Sequence, residues 1–218
     1  MEENKIYEDI ALRTGGDIYI GVVGPVRTGK STFIKRFMET LEIPNIEDVY
    51  MRERARDELP QSASGRTIMT AEPKFVPEEA VSIETENSVF SVRLIDCVGS
   101  IVEGALGQSE EDGSPRMVTT PWYDYEIPLT EAAETGTRKV IAEHSTLGVV
   151  MTTDGSISDI PRHSYEPAEE RAVSELKAIG KPFVVVLNSA QPHSEQAQRL
   201  RAELEEKYDV SCICVNCL

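Results

Sequence analysis

An octapeptide near the start of the chain, Gly24-Pro-Val-Arg-Thr-Gly-Lys-Ser31, fits the phosphate-binding pattern G-x-x-x-x-G-K-[ST] at every fixed position. Its glycines let backbone N–H groups curl around phosphate oxygens, and the helix that follows adds positive potential at its N-terminus. In this pattern Lys30 reaches the β- and γ-phosphates, and the Ser31 hydroxyl ligates Mg²⁺. The residues predicted to contact the nucleotide here are Gly24, Pro25, Val26, Arg27, Thr28, Gly29, Lys30, Ser31 and Thr32.

A second signature, Asp96-Cys-Val-Gly99, follows an apolar run that reads as a buried strand. An aspartate at a strand end can hold Mg²⁺ through water, and the Gly99 N–H can reach the γ-phosphate. The polar loop before this hairpin offers a threonine whose hydroxyl completes the Mg²⁺ shell. Thr70 is the preferred candidate because it lies closer to the next strand, and Thr67 stays open as the alternative. The predicted catalytic residues are Lys30, Thr70 and Asp96, and the predicted metal ligands are Ser31, Thr70 and Asp96.

Two further polar residues have alternative interpretations. Arg27, inside the phosphate loop, either clamps the γ-phosphate or points to solvent. His144 ends a helix in the segment Glu143-His-Ser-Thr146, so a capping or solvated histidine is favoured over a catalytic base.

Alternating apolar strands and amphipathic helices must position these residues. The alternation predicts an α/β P-loop NTPase with a mostly parallel sheet, one antiparallel hairpin strand and helices on both faces. Residues 100–128 are too long for an ordinary connection, and we expect them to be functional or mobile. Residues 1–16 read as an N-terminal helical extension and residues 17–218 as the NTPase domain, expected to be a fragment of a longer protein. Strands are predicted at 18–23, 80–84, 89–95, 147–151, 182–187 and 210–216, and helices at 4–13, 31–41, 46–58, 130–143, 167–179 and 194–207.

Composition narrows the range of partners. The 218 residues carry a formal net charge of -16, which disfavours nucleic acid and anionic lipid as partners. No stretch has the length of a membrane span and the N-terminus lacks a signal-peptide core, so we expect a cytoplasmic protein without membrane insertion. Among the four cysteines, Cys212 and Cys214 are expected to share one face of a strand as small apolar residues, rather than to bind metal with Cys217.

The hairpin between the threonine loop and Asp96 places the chain with the translation-factor-like GTPases. That class reads guanine with N-K-x-D after a strand, and here only Asn188 matches, since Ser189 and Gln191 replace the lysine and the aspartate. Ser100 also stands where the class has its glutamine, so hydrolysis must orient water in another way, be slow or need a partner. Asn188, Ser189 and Gln191 are therefore predicted base contacts. The Gln191 amide suits adenine, which makes ATP with Mg²⁺ the expected ligand and a GTP-binding regulatory switch the alternative.

Eight segments of the chain resemble one family, that of stage IV sporulation protein A of endospore-forming bacteria. The resemblance runs from about residue 4 to the end and is carried by 24–33, 57–62, 65–70, 72–77, 120–123, 136–141, 143–146 and 152–155.

The resemblance implies an ATPase that polymerises irreversibly as the basement layer of the spore coat, in the mother-cell cytoplasm on the outer forespore surface. It also implies a middle and a C-terminal domain beyond this chain, the latter contacting the membrane, stage V sporulation protein M and coat proteins. Carried over by position, Lys30 is the phosphate-loop lysine, Asp96 the Walker-B-type acid and Thr70 a sensor threonine. The family often has a second threonine next to the sensor, whereas this chain has Ala71, so a role for that second hydroxyl does not apply.

Overall fold

A six-stranded sheet forms the centre of the molecule in the computed structural model, which describes residues 17–60, 72–85, 88–105, 107–110 and 112–218. The strands of this sheet are β1 (Asp17–Val23), β2 (Lys74–Thr85), β3 (Ser88–Asp96), β6 (Leu147–Thr153), β7 (Phe183–Asn188) and β8 (Cys212–Val215). A separate two-stranded sheet consists of β4 (Met117–Thr120) and β5 (Tyr123–Pro128). The helices are α1 (Lys30–Phe37), α2 (Val49–Asp57), α3 (Leu129–Lys139), α4 (Arg162–Ala178) and α5 (Glu195–Tyr208). The predicted helix at 4–13 lies outside the described residues.

The strands of the large sheet lie in the order β2-β3-β1-β6-β7-β8. All neighbouring strands pair in parallel except the hairpin β2–β3, which is antiparallel. The predicted mostly parallel sheet with one antiparallel strand is therefore confirmed. Because the carboxyl ends of parallel strands share one edge, the segments that follow β1, β3, β6, β7 and β8 all meet there.

Helices cover both faces of the sheet, as predicted. One apolar core contains Ile34 and Met38 from α1 and its extension, with Ala55 from α2. The opposite core contains residues of α4 and α5, including Leu176 and Leu204. The strands between them are apolar on both sides, which is the pattern expected of a buried parallel sheet.

The structure corrects three boundaries. The segment 100–128 contains the hairpin β4–β5, whose side chains pack against the start of α3, so it is not a plain long loop. Strand β2 begins at Lys74 rather than near Ala80, because a β-bulge between Val76 and Val81 interrupts its alternation. Helix α4 begins at Arg162 and not at 167, because Pro167 lies inside the helix instead of opening it.

Helix α1 does not stop at Phe37 but continues into a π-helical turn, Met38–Glu42. The extra residue of a π-turn changes which side chains face inward. Here it buries Glu42 completely, and neither carboxylate oxygen has a hydrogen-bond partner. Burial raises the pKa of Glu42 to about 8, so the side chain is held in the core as a neutral acid near neutral pH.

The cysteines near residue 215 divide between the two cores. Cys212 and Cys214 pack on one face of the sheet, as predicted, and Cys217 packs on the other. All four cysteines are free thiols. Within the described part of the chain, no helix combines the length and hydropathy needed to cross a bilayer.

Candidate functional site

The phosphate loop joins β1 to α1 and depends on two glycines in left-handed backbone conformations. Gly24 has φ 118° and Gly29 has φ 90°, values that residues with a Cβ adopt only with strain. Space is also lacking, since a Cβ at Gly24 would lie 2.3 Å from the Met151 carbonyl oxygen and one at Gly29 would lie 2.4 Å from Asn188 Nδ2. The backbone of the loop is thus pressed against β6 on one side and the end of β7 on the other.

Lys30 begins α1 and is almost fully buried under the loop. Its Nζ donates hydrogen bonds to the carbonyl oxygens of Pro25, at 2.6 Å, and Gly24, at 3.3 Å. Burial lowers the pKa of Lys30, while Cys97 and Asp96 nearby favour its charged form. An ammonium held by carbonyl groups of the loop itself is ready to turn toward an anion in the loop.

Asp96, at the end of β3, meets the phosphate loop at Ser31. The Ser31 hydroxyl donates to Asp96 Oδ2 at 2.7 Å, while Oδ1 is buried and has no hydrogen-bond partner. Burial raises the pKa of Asp96, against the opposing effects of the Ser31 hydrogen bond and the Lys30 charge. The Ser31 hydroxyl and the free Asp96 oxygen are both oxygen ligands of the kind that Mg²⁺ prefers. Two such ligands are enough, because Mg²⁺ retains several waters when it binds to proteins.

Gly99 brings the second signature against the first. It has φ 85°, and a Cβ there would lie 2.0 Å from the Gly24 carbonyl oxygen and 2.6 Å from Lys30 Nζ. One residue further, the Ser100 carbonyl oxygen accepts a hydrogen bond from the Val26 N–H at 2.9 Å. The two predicted signatures therefore form one site.

The end of β7 braces the phosphate loop from the other side. Asn188 is buried, and its Nδ2 donates to the Thr28 carbonyl oxygen at 3.1 Å while its Oδ1 accepts from the Cys217 N–H at 3.1 Å. The buried Ser189 Oγ accepts from the Gln191 N–H, and the Gln191 side chain is exposed. Asn188 thus lies against the loop itself, and Ser189 and Gln191 lie in the turn that follows β7.

The loop after β6 is a further part of this edge that the individual motifs did not predict. Asp154 Oδ1 accepts from the backbone N–H and the hydroxyl of Ser156. The Ser156 hydroxyl in turn accepts from the Ala190 N–H at 2.9 Å. Although burial acts to raise it, hydrogen bonds from Ser156 and Ser189 bring the pKa of Asp154 below its ordinary value. In the sequence, this loop was indicated only by the segment 152–155, which is one of the segments that carry the family resemblance.

A buried ion pair lies where that loop joins α4. Glu169 of α4 is fully buried, and both its oxygens accept hydrogen bonds from the Arg162 guanidinium. Thr152 of β6 and the Tyr208 hydroxyl of α5 also donate to Glu169. The backbone nitrogen of Arg162 lies 3.1 Å from where a Gly155 Cβ would be, so the residue that pairs with Glu169 packs by its backbone against the loop that carries Asp154. Periodicity alone does not reveal it, since Glu169 reads as an ordinary polar helix residue.

The remaining predicted residues have different outcomes. Thr67 and Thr70 lie outside the described residues, so their roles stay predictions. Arg27 is half-buried, and its φ is 65°. Burial raises the pKa of the Tyr165 hydroxyl, and the nearby Arg27 charge opposes this effect. His144 is exposed, stacks edge-on against Phe75 and precedes β6, so it lies at the sheet edge opposite the phosphate loop.

The whole chain, residues 1–218, matches the family model for the ATPase domain of stage IV sporulation protein A. Stage IV sporulation protein A of Bacillus anthracis is 60% identical over 217 residues, which are 99% of this chain and 44% of that protein. The Bacillus subtilis (strain 168) protein is 57% identical over 217 residues, with the same coverage. The chain therefore spans less than half the length of these relatives.

Among solved structures, a mutation variant of SsGBP aligns over 100% of this chain and 58% of its own, at 13% identity with a TM-score of 0.48. That likeness is too distant to support an argument about function. The relatives and the family model agree with each other and with the site geometry: the chain belongs to the family of the stage IV sporulation protein A ATPase domain.

Proposed function

We propose that this chain binds ATP with Mg²⁺ and hydrolyses it, slowly, in a site of the translation-factor-like class. The observation that carries the proposal is the Ser31–Asp96 pair beside the buried Lys30, formed by two signatures 65 residues apart in the chain. The antiparallel β2–β3 hairpin next to the parallel strands supports the class, and the family description supports ATP as the nucleotide.

Each part of the loop has a defined task in this proposal. The N–H groups of the loop and of the first turn of α1 hold the phosphate oxygens, since a helix N-terminus favours anions. Lys30 moves from the loop carbonyls to the β- and γ-phosphates and offsets the charge that develops during transfer. Ser31 and Asp96 would hold the Mg²⁺, which when bound would offset the negative charge of the phosphates. Thr70 is proposed as the third ligand and sensor of the γ-phosphate.

The base extends away from Asp96 toward the ends of β6 and β7. Asn188 braces the loop, and Ser189 with Gln191 borders the base. Since Ser189 lacks the long stem of lysine, we expect the phosphates to be held tightly and the base loosely. The modest preference for ATP over GTP expected from this site, about tenfold or 1.4 kcal/mol, separates the ATPase from the alternative of a GTP-dependent switch.

We further propose that hydrolysis serves assembly of a polymer on the outer forespore surface, facing the mother-cell cytoplasm, during sporulation. The support is the family membership of the chain. Contacts with stage V sporulation protein M and with coat proteins are proposed for the parts of the longer relatives that this chain does not span.

The test compares two lysines of the same helix. Lys30→Ala removes the phosphate-loop ammonium, and we expect it to abolish nearly all ATP hydrolysis by the purified chain. Lys35→Ala is the matched control, because the Lys35 side chain is 41% exposed and makes a long ion pair with Glu39 at 3.9 Å. Unchanged turnover in Lys30→Ala, with the fold intact by circular dichroism, would show that the phosphate-loop assignment is wrong.

A further inference from the structure

The loops after β6 and β7 form a wall beside the phosphate loop. They are joined by the hydrogen bond from the Ala190 N–H to the Ser156 hydroxyl at 2.9 Å. The Ser189 side chain also lies near enough to Asp154 to lower its pKa. Ile157 lies 3.9 Å from where a Gly29 Cβ would be, so the first of these loops also reaches the phosphate loop. A base attached to phosphates at Gly29 must therefore pass along this wall.

Asp154 is a charged group in that wall, and its capacity for further hydrogen bonds is limited. A carboxylate has about four lone-pair positions. Two donors already engage Asp154, the N–H and the hydroxyl of Ser156, and both bonds are to Oδ1. The side chain is half-buried, so it remains accessible to a ligand. Oδ1 is therefore fully engaged, and Oδ2 is the oxygen left to accept an N–H from a base.

The shapes of the purines decide which base fits a single acceptor. Guanine presents two neighbouring donors, N1–H and the 2-amino group, which need two carboxylate oxygens side by side. Adenine presents one donor group, the 6-amino group, where guanine has a carbonyl that a carboxylate repels. A carboxylate with one oxygen fully engaged therefore favours the adenine edge.

We propose that Asp154 selects adenine by accepting a hydrogen bond from the 6-amino group of the bound base. The proposal rests on the nucleotide site described under Proposed function and adds to it the residue that discriminates the base. It would also give the site a preference between the two purines although Ser189 and Gln191 replace the lysine and the aspartate of the guanine pattern.

The chain offers a matched control for this residue. Asp112 Oδ1 accepts from the N–H and the hydroxyl of Ser114, which is the same local arrangement as Asp154 with Ser156, in an exposed turn before β4. Asp112→Asn and Asp154→Asn therefore remove one charge each from equivalent turns. In both variants the asparagine keeps an oxygen for the serine donors, so the turn is preserved.

The experiment measures the affinities of ATP, inosine triphosphate and inorganic triphosphate for the purified chain with Mg²⁺. Inosine triphosphate carries a carbonyl in place of the 6-amino group, and inorganic triphosphate has no base. Asp154→Asn should weaken ATP binding about tenfold, bring ATP and inosine triphosphate to similar affinities, and leave inorganic triphosphate unchanged. Asp112→Asn should match the unmodified chain with all three.

The possible outcomes separate this inference from the proposed function. If Asp154→Asn keeps the original ratio of ATP to inosine triphosphate while inorganic triphosphate still binds, the role of Asp154 is overturned and the ATP site stands. If the unmodified chain binds neither ATP nor inorganic triphosphate, both proposals are overturned. Binding of inorganic triphosphate by the variant shows in the same sample that the phosphate site is folded.

Discussion

Glu42 gives the chain a dependence of stability on pH that one substitution should remove. The carboxyl is fully buried at the end of the π-turn and has no hydrogen-bond partner. Its pKa is about 8 in the folded chain and near the ordinary value of 4.5 when the chain unfolds. Between these two values the folded state holds one proton more than the unfolded state. The free energy of unfolding contributed by Glu42 is thus highest below pH 4.5 and is lost as pH rises toward 8.

The size of the effect follows from the two pKa values. One proton difference changes the free energy of unfolding by about 1.4 kcal/mol per pH unit. Between about pH 5 and pH 8 the loss should amount to roughly 3 kcal/mol, a large fraction of the 5–15 kcal/mol typical of a domain. The Glu42→Gln side chain has no proton to lose. The free energy of unfolding of this variant, relative to that of the unmodified chain, should therefore rise by the same amount between about pH 5 and pH 8.

Urea unfolding at several pH values measures this difference directly. Subtracting the two curves cancels every other titrating group that the variants share. Glu39→Gln is the control, since Glu39 lies in the same π-turn but is partly exposed and paired with Lys35 and Arg36. Parallel stability curves for Glu42→Gln and the unmodified chain from pH 5 to pH 8 would refute the assignment of a buried neutral acid.

Four further expectations concern the site and its support. Asp96→Asn should weaken the apparent affinity for Mg²⁺ more than that for ATP, and the same Mg²⁺ dependence of hydrolysis in the variant and the unmodified chain would contradict this. Because burial raises the pKa of Asp96, the Mg²⁺ affinity of the unmodified chain should also fall as pH is lowered. Gly99→Ala should reduce ATP affinity at least about tenfold, since its Cβ would press on the Gly24 carbonyl 2.0 Å away, and calorimetric titration checks it. Glu169→Gln should lower the free energy of unfolding by about 3 kcal/mol, because it removes the buried carboxylate that accepts both hydrogen bonds of the Arg162 guanidinium, as urea unfolding would show. Finally, the chain alone should bind ATP without forming a stable polymer; robust ATP-dependent pelleting on sedimentation would place the assembly surfaces within it.

The elements around the phosphates could be predicted from sequence because their signals are local. The glycines at 24 and 29 and the lysine after them specify the loop by residue type alone, and an apolar strand ending in Asp96 specifies where its partner must lie. Parallel strands bring those two segments to the same edge whatever the length between them, which is why the Ser31–Asp96 contact was within reach of sequence analysis.

The features that escaped prediction depend on contacts distant in sequence or on irregular backbone. Pro167 is a helix-start signal locally, yet α4 already begins at Arg162. The π-turn that buries Glu42 has no residue signature, because a single extra residue in a turn changes the direction of a side chain without changing composition. The turn formed by Asp154 and Ser156 is joined to the loop after β7 by the Ala190 N–H, which comes more than 30 residues later in the chain.

The two hydrogen bonds of the Asn188 amide also have a consequence for the order of events during folding. The Thr28 carbonyl is made early in synthesis, the amide that holds it comes 160 residues later, and that amide is itself fixed by Cys217, another 29 residues on. A loop whose local sequence is complete after the first helix is therefore anchored only when almost the entire sheet has been assembled. Contacts of such long sequence separation form late in folding, because the chain between them must be ordered first. A nascent chain can therefore contain the whole phosphate motif before it binds nucleotide tightly. We expect tight binding only after β8 has joined the sheet.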